Sequence, residues 1–201
     1  MARILLFLMT LSFFLACQNV NKPTEKQNLV HVPKKRGCVY SSPDTSISKI
    51  ILRDSKNATS TLGNLDEKSK EDEKYHFYST MYRETLTMTQ RPGDGKYSIS
   101  IFEVKYSDKA DYGYRKLKID TFKTEKGIKL GLTKNQVIEK LGACYVAKDS
   151  SSNRINLYYK IETPNDTKSK LLKRENMPMY FASYVFFNGR LERFEFGYEY
   201  P

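Results

Sequence analysis

The pattern of apolar and polar positions divides this chain into a series of short elements. Ile4 to Leu15 is almost unbroken apolar sequence, interrupted only by Thr10 and Ser12. Gln18 to Arg36 has no apolar period. Such a segment buries too little surface to order itself, which predicts a tether. Lys49 to Arg53 reads as short and extended, and Ser55 is placed to cap a short helix ending near Gly63. In Tyr75 to Gln90, residues Tyr75, Phe77, Ser79 and Met81 alternate with His76, Tyr78, Thr80 and Tyr82. Leu86 and Met88 then alternate with threonines. This period of two predicts one long strand, or two with a bend. Arg91-Pro-Gly-Asp-Gly-Lys96 predicts a hairpin turn, Tyr97 to Tyr106 a returning strand, and Tyr114 to Phe122 contains a third.

The pattern changes at Gly127. Val137, Ile138 and Leu141 fall on one face at helical spacing, which predicts a helix over Lys134 to Leu141. The Thr133 hydroxyl caps its first turn and Gly142 stops it. Arg154 to Glu162 reads as a strand, followed by a basic loop with a helical turn at Lys170 to Arg174. Tyr180 to Phe187 and Arg190 to Tyr200 flank Asn188-Gly189, a strong hairpin signal. A regular two-residue hairpin sets Phe187 opposite Arg190, Val185 opposite Glu192, Ser183 opposite Phe194 and Phe181 opposite Phe196. One face then collects Phe181, Val185, Phe194, Phe196 and Tyr198, and is expected to pack on the helix.

Two halves look alike in this order. Ile50-Ile-Leu-Arg-Asp-Ser-Lys-Asn aligns with Ile128-Lys-Leu-Gly-Leu-Thr-Lys-Asn, and each is followed by Leu-Gly, at Leu62-Gly63 and Leu141-Gly142. The expected fold class is α+β: two helix-plus-antiparallel-meander repeats, with helices packed on one face of a sheet. The stretch Gly127 to Gly142, with the later Tyr184-Val-Phe-Phe-Asn-Gly-Arg-Leu-Glu-Arg-Phe, resembles the BamE-like (SmpA/OmlA) family of small outer-membrane lipoproteins. It also resembles the tandem repeats of the secreted beta-lactamase inhibitor protein. Ala143-Cys144 stands where that family has a proline. The resemblance implies protein binding without catalysis. It divides the chain into a signal peptide (1–16), a lipidated cysteine with flexible tether (17–36), a divergent first unit (37–123) and a second unit (124–201).

The N-terminus adds location. Arg3, the apolar run and Ala16 form a secretory signal. Phe14-Leu15-Ala16-Cys17 resembles the lipobox of bacterial lipoproteins, with Phe14 in place of an aliphatic residue. The resemblance implies a lipidated Cys17 at the start of the mature chain; the alternative is an ordinary signal beside an incidental thiol. Gln18 after the cysteine favours the outer membrane under proteobacterial sorting. The domain then lies in the periplasm or at the surface, held to the membrane by its lipid. With Cys17 lipidated, two of the three cysteines remain, Cys38 and Cys144. An oxidising compartment favours one disulfide between them, the alternative being two buried thiols.

Composition narrows the chemistry. The net charge of +11 suits nucleic acid in general, but an exported chain meets little of it. Anionic lipid, cell-wall polymer or an acidic partner fits better, with simple solubility as the plain alternative. The only histidines are His31, in the tether, and His76, among strand aromatics. There is no zinc spacing, phosphate loop or nucleophile elbow. Glu192 and Glu195 are expected on opposite faces of one strand. No catalytic residue, metal, cofactor or small-molecule substrate is therefore expected. Tyr78, Tyr82, Tyr112 and Tyr114 are candidate exposed recognition aromatics, and Lys168, Lys170, Lys173 and Arg174 a candidate basic loop. The expected function is a lipid-anchored, non-enzymatic protein-binding module of the cell envelope, an assembly factor or inhibitor. The alternative is a basic lipoprotein that binds cell wall or anionic lipid.

Overall fold

A computed structural model describes residues 40, 42–65, 70–71, 73–81, 83–107, 114–148, 150–162 and 170–200. The expected signal peptide and tether lie outside these residues, as do Cys17, Cys38, Tyr82, Tyr112 and Lys168. Among the described residues 41% are in strands and 16% in three helices. The expectation of two helix-plus-meander repeats is thereby corrected. The protein is mostly β and is built on one large mixed sheet.

A small hairpin pairs β1 (Ser46–Ile47) with β2 (Ile50–Ile51). Helix α1 (Ser55–Leu62) follows, capped by Asp54 rather than Ser55: the Asp54 carboxylate accepts from the Asn57 amide at 2.8 Å. Next come β3 (Lys70–Glu71), β4 (Lys74–Tyr78), β5 (Glu84–Thr89) and β6 (Ile101–Tyr106). The third strand expected within Tyr114 to Phe122 shrinks to β7 (Arg115–Lys116), which runs parallel to β4. Helix α2 (Lys134–Leu141) has a capping box, with Thr133 and Gln136 exchanging side-chain and backbone bonds. The chain ends with β8 (Val146–Lys148), β9 (Arg154–Glu162), helix α3 (Lys170–Glu175), β10 (Met179–Phe187) and β11 (Arg190–Glu199).

Eight strands run in the order β3-β4-β5-β6-β11-β10-β9-β8, with β7 added beside β4. The pairing of β6 with β11 joins strands from both halves of the chain in one ladder. Gly197 permits this contact: a Cβ there would stand 2.1 Å from the Ser100 carbonyl oxygen.

One face of the sheet carries the core. Phe77, Leu86, Val104, Phe194, Tyr184 and Leu157 stand in register across six strands, and all are fully buried. They share one cluster with Ile47 and Ile50 of the hairpin, Ala58 of α1, Phe122 and Ile128 of the connecting loop, and Val137 and Leu141 of α2. Hairpin, helices and loop therefore cover this face, and burial of their apolar area supplies the main stabilising term. The last hairpin departs from its expected register. Phe187 does oppose Arg190, but a β-bulge follows, so Val185 opposes Arg193, Ser183 opposes Glu195 and Phe181 opposes Gly197. The β10 residues of the core cluster are consequently Tyr180, Ala182, Tyr184 and Phe186, while Phe181, itself buried, and the half-buried Val185 point to the opposite face. The bulge also moves Glu192 off the Phe194 and Phe196 face.

Candidate functional site

Among the described residues the other face of the sheet carries no helix. Period-two alternation sends His76, Thr87, Glu103, Glu195, Ser183 and Tyr158 to this side, one beside the next along a single row. The adjacent row holds Tyr78, Thr85, Lys105, Arg193, Val185, Asn156 and Lys148. At the β4 end the face is covered. Tyr114 stacks on His76 at 4.4 Å and packs beside Tyr78 at 5.4 Å, and Tyr78, Thr85 and Thr87 are buried. His76 also meets the Thr87 hydroxyl at 3.1 Å through Nδ1. From β6 to β9 the face is more open.

Charge and aromatic contacts fix the open part. Arg193 lies 3.2 Å from a Glu103 oxygen and 3.1 Å from a Glu195 oxygen. Burial, and then the Glu103 carboxylate opposite, raise the Glu195 carboxyl above its ordinary range, while Arg193 pulls it back. Tyr158 stacks on Phe181 at 6.3 Å, and the Lys148 ammonium sits over the Tyr158 ring at 3.3 Å. Ser183 donates to the Asn156 amide oxygen at 2.9 Å.

The bulge opens a cleft of about 430 Å³ at the end of this face. Because Glu192 is the extra residue in β11, Glu192 and Arg193 are both exposed and both line it. Lys105 and Tyr106 form one wall. Arg154, with Ser151 and Asn153 from the turn before β9, forms the other, and Val185 and Phe187 lie between. The two turns are tied by the Asn188 amide donating to the Asn153 carbonyl at 2.8 Å. Tyr106 and Phe187 are two of the few exposed large apolar side chains among the described residues. Lys105 and Arg154 form no ion pair among the described residues.

The sequence candidates are not brought together. Tyr78 is buried, which corrects its reading as an exposed aromatic, because Tyr114 lies against it. Tyr114 is half-buried in that stack. Lys170, Lys173 and Arg174 are exposed on α3, where Arg174 pairs with Glu175 at 2.6 Å. Helix α3 leads into β10, and β11, β6 and β5 separate it from the Tyr78 region. The sequence does not single out the cleft residues as a site, since only the bulge places Glu192 in the cleft with Lys105 and Arg193. Its faint sequence signal is the pair Glu192-Arg193 standing where alternation calls for one outward residue. Cys144, half-buried against the core, is disulfide-bonded, and the chain's other two cysteines lie outside the described residues.

A buried carboxyl group lies in the core, away from the cleft. Asp44 is fully buried. The Tyr180 hydroxyl donates to its carbonyl at 2.6 Å, and the Tyr184 hydroxyl lies 3.3 Å from its carboxylate. Burial first, and then the neighbouring Glu125 carboxylate, push the Asp44 carboxyl up to about 6, against donors from Thr124 and Lys126. Tyr180 and Tyr184 are raised well above the ordinary phenol range, chiefly by burial. Glu125 itself accepts from the amides and hydroxyls of Thr45 and Ser46, which pins the segment over the core. Among the described residues no group of three His, Cys, Asp or Glu side chains is placed to hold a metal ion.

Comparison with family models, with curated proteins and with solved structures finds no match to this chain.

Proposed function

We propose that this protein is a lipid-anchored, non-enzymatic protein-binding module of the bacterial cell envelope, and that it engages its partner with the helix-free face of its sheet. The observation that carries the reading is the asymmetry of the sheet. One face is sealed by helices, hairpin and loop. The other presents ordered aromatic and charged side chains between β6 and β9. Tyr158 is held by stacking on the buried Phe181, and Arg193 by its ion pairs, so little side-chain entropy remains to be lost on binding. Lipidation at Cys17 would keep this face at the membrane, and the segment before the domain would set its reach. Envelope assembly and enzyme inhibition both fit such a module.

The net charge of +11 supports the second reading, a binder of cell-wall polymer or anionic lipid. The two separate on salt dependence. A polyanion held through many charge contacts loses about a thousandfold or more in affinity between about 50 and 200 mM salt. A protein partner of the helix-free face is expected to lose less than about tenfold when retention from solubilised envelopes is measured over that range. A steep loss would reject the protein-binding reading. For the anchor, Cys17→Ala is expected to release the protein from the membrane fraction and to change its processing; unchanged membrane association and processing would reject it.

A further inference from the structure

We infer that the cleft between Lys105 and Arg154 takes an extended acidic segment of the partner protein, with one carboxylate on each cation and an apolar side chain between them. This rests on the protein-binding reading and names the chemistry of the ligand.

The argument starts from which charges are already satisfied. Of the three cations among the described residues that line the cleft, Arg193 is committed to Glu103 and Glu195. Lys105 and Arg154 remain, both exposed and without ion pairs among the described residues. They stand on β6 and β9, with β11 and β10 between. Three strand spacings of about 4.8 Å, plus the offset of Arg154 along β9, separate their backbones by roughly 15 Å. An extended peptide advances about 3.4 Å per residue, so it spans that gap in about four residues. Its positions one, three and five point to the same side. Carboxylates at one and five therefore meet the two cations, and position three lies over Val185 and Phe187.

Charge arrangement favours a peptide over a polyanion. Among the described residues only two uncommitted cations line the cleft, and Glu192 lines it with them. A polymer or lipid surface with an anion at every repeat would meet Glu192 as well as the carboxylates bound to Arg193. A segment with two separated acids and an apolar centre avoids that repulsion and covers Val185 and Phe187. The volume of about 430 Å³ falls within the range of sites that hold small ligands and short segments.

The test uses the full mature chain in neutral detergent. The probe is a capped pentapeptide with aspartate first and fifth, leucine third and serine between. Binding is read from amide chemical shifts. The aspartate peptide is expected to shift the amides around Lys105, Val185 and Phe187. It should bind at least about tenfold more tightly than the same peptide with asparagines. The double variant Lys105→Glu/Arg154→Glu should abolish that preference, and both positions are exposed enough to change without loss of fold. Equal binding of the two peptides would overturn the inference, as would an unaltered preference in the double variant. Vesicles of anionic phospholipid that shift the same amides in place of the peptide would also overturn it, in favour of a lipid headgroup site. The wider reading is judged separately, by whether any protein contacts the helix-free face in native envelopes; that contact can survive when the cleft's peptide preference fails.

Discussion

Asp44 is a fully buried carboxyl whose environment moves it well away from its ordinary chemistry. Its folded carboxyl titrates near 6 against an ordinary value of 3.8, so the native state holds the proton more tightly than the unfolded state. Stability from this group is fully present below about pH 3.8. It is lost as the pH rises through about 6, because charging a buried carboxylate costs free energy. A shift of about two units corresponds to on the order of 3 kcal/mol. Thermal melts should therefore show a loss of stability between about pH 4 and 6.5 in the native protein. In Asp44→Asn, which keeps the shape without the charge, that slope should be clearly shallower, the remainder coming from other carboxyls such as Glu195, which burial also raises. Equal slopes in the two proteins would contradict this account of Asp44. Gly197 gives a second prediction at this scale. Gly197→Ala places a methyl group against the Ser100 carbonyl in the ladder joining β6 to β11. The expected cost is about 3 kcal/mol in denaturant unfolding, since backbone on both sides must move. A cost below about 1 kcal/mol would mean that the contact yields easily.

At the scale of elements, helix α2 and the bulge in β11 make contrasting cases. Helix α2 was legible because its signals are local: Thr133 caps, Val137 and Leu141 face inward, and Gly142 stops it. Thr133→Ala should cost about 1 kcal/mol in urea unfolding, and no change would show the capping box to be incidental. The strands β9, β10 and β11 were legible for the same reason. The bulge was not. Asn188-Gly189 correctly fixes the turn, but nothing in alternation marks where one strand gains a residue against its partner. That slip exchanged the expected faces of Phe181 and Val185 with those of Tyr180 and Tyr184, and it hid the cleft. The union of β6 with β11 was equally hidden, because strand neighbours far apart in sequence leave no local signature. Deletion of Glu192 should restore regular pairing at a stability change within about 1 kcal/mol, since bulge removal leaves the ladder on either side in register. It should also abolish the preference for the acidic pentapeptide, read by the same chemical-shift titration. A retained preference would show that the bulge does not shape the site.

At the scale of the whole molecule, the sheet is one body with a sealed face and an open face, and Cys144 ties the end of α2 to another part of the chain. Non-reducing digestion with mass spectrometry is expected to find Cys144 joined to Cys38. Finding Cys17 in that bond instead would contradict both the pairing and the lipid anchor. Loss of the bond in Cys144→Ser should cost about 4 kcal/mol if it closes the loop of about 105 residues back to Cys38. The central claim is that a partner protein binds the helix-free face, and site-specific photocross-linking in native envelopes tests it most directly. A photoreactive phenylalanine analogue replaces Tyr158 on the open face or, in a separate variant, Ser60 on the exposed side of α1. The account predicts a discrete protein adduct from position 158 and none from position 60. Adducts at neither position, or equally at both, would contradict it.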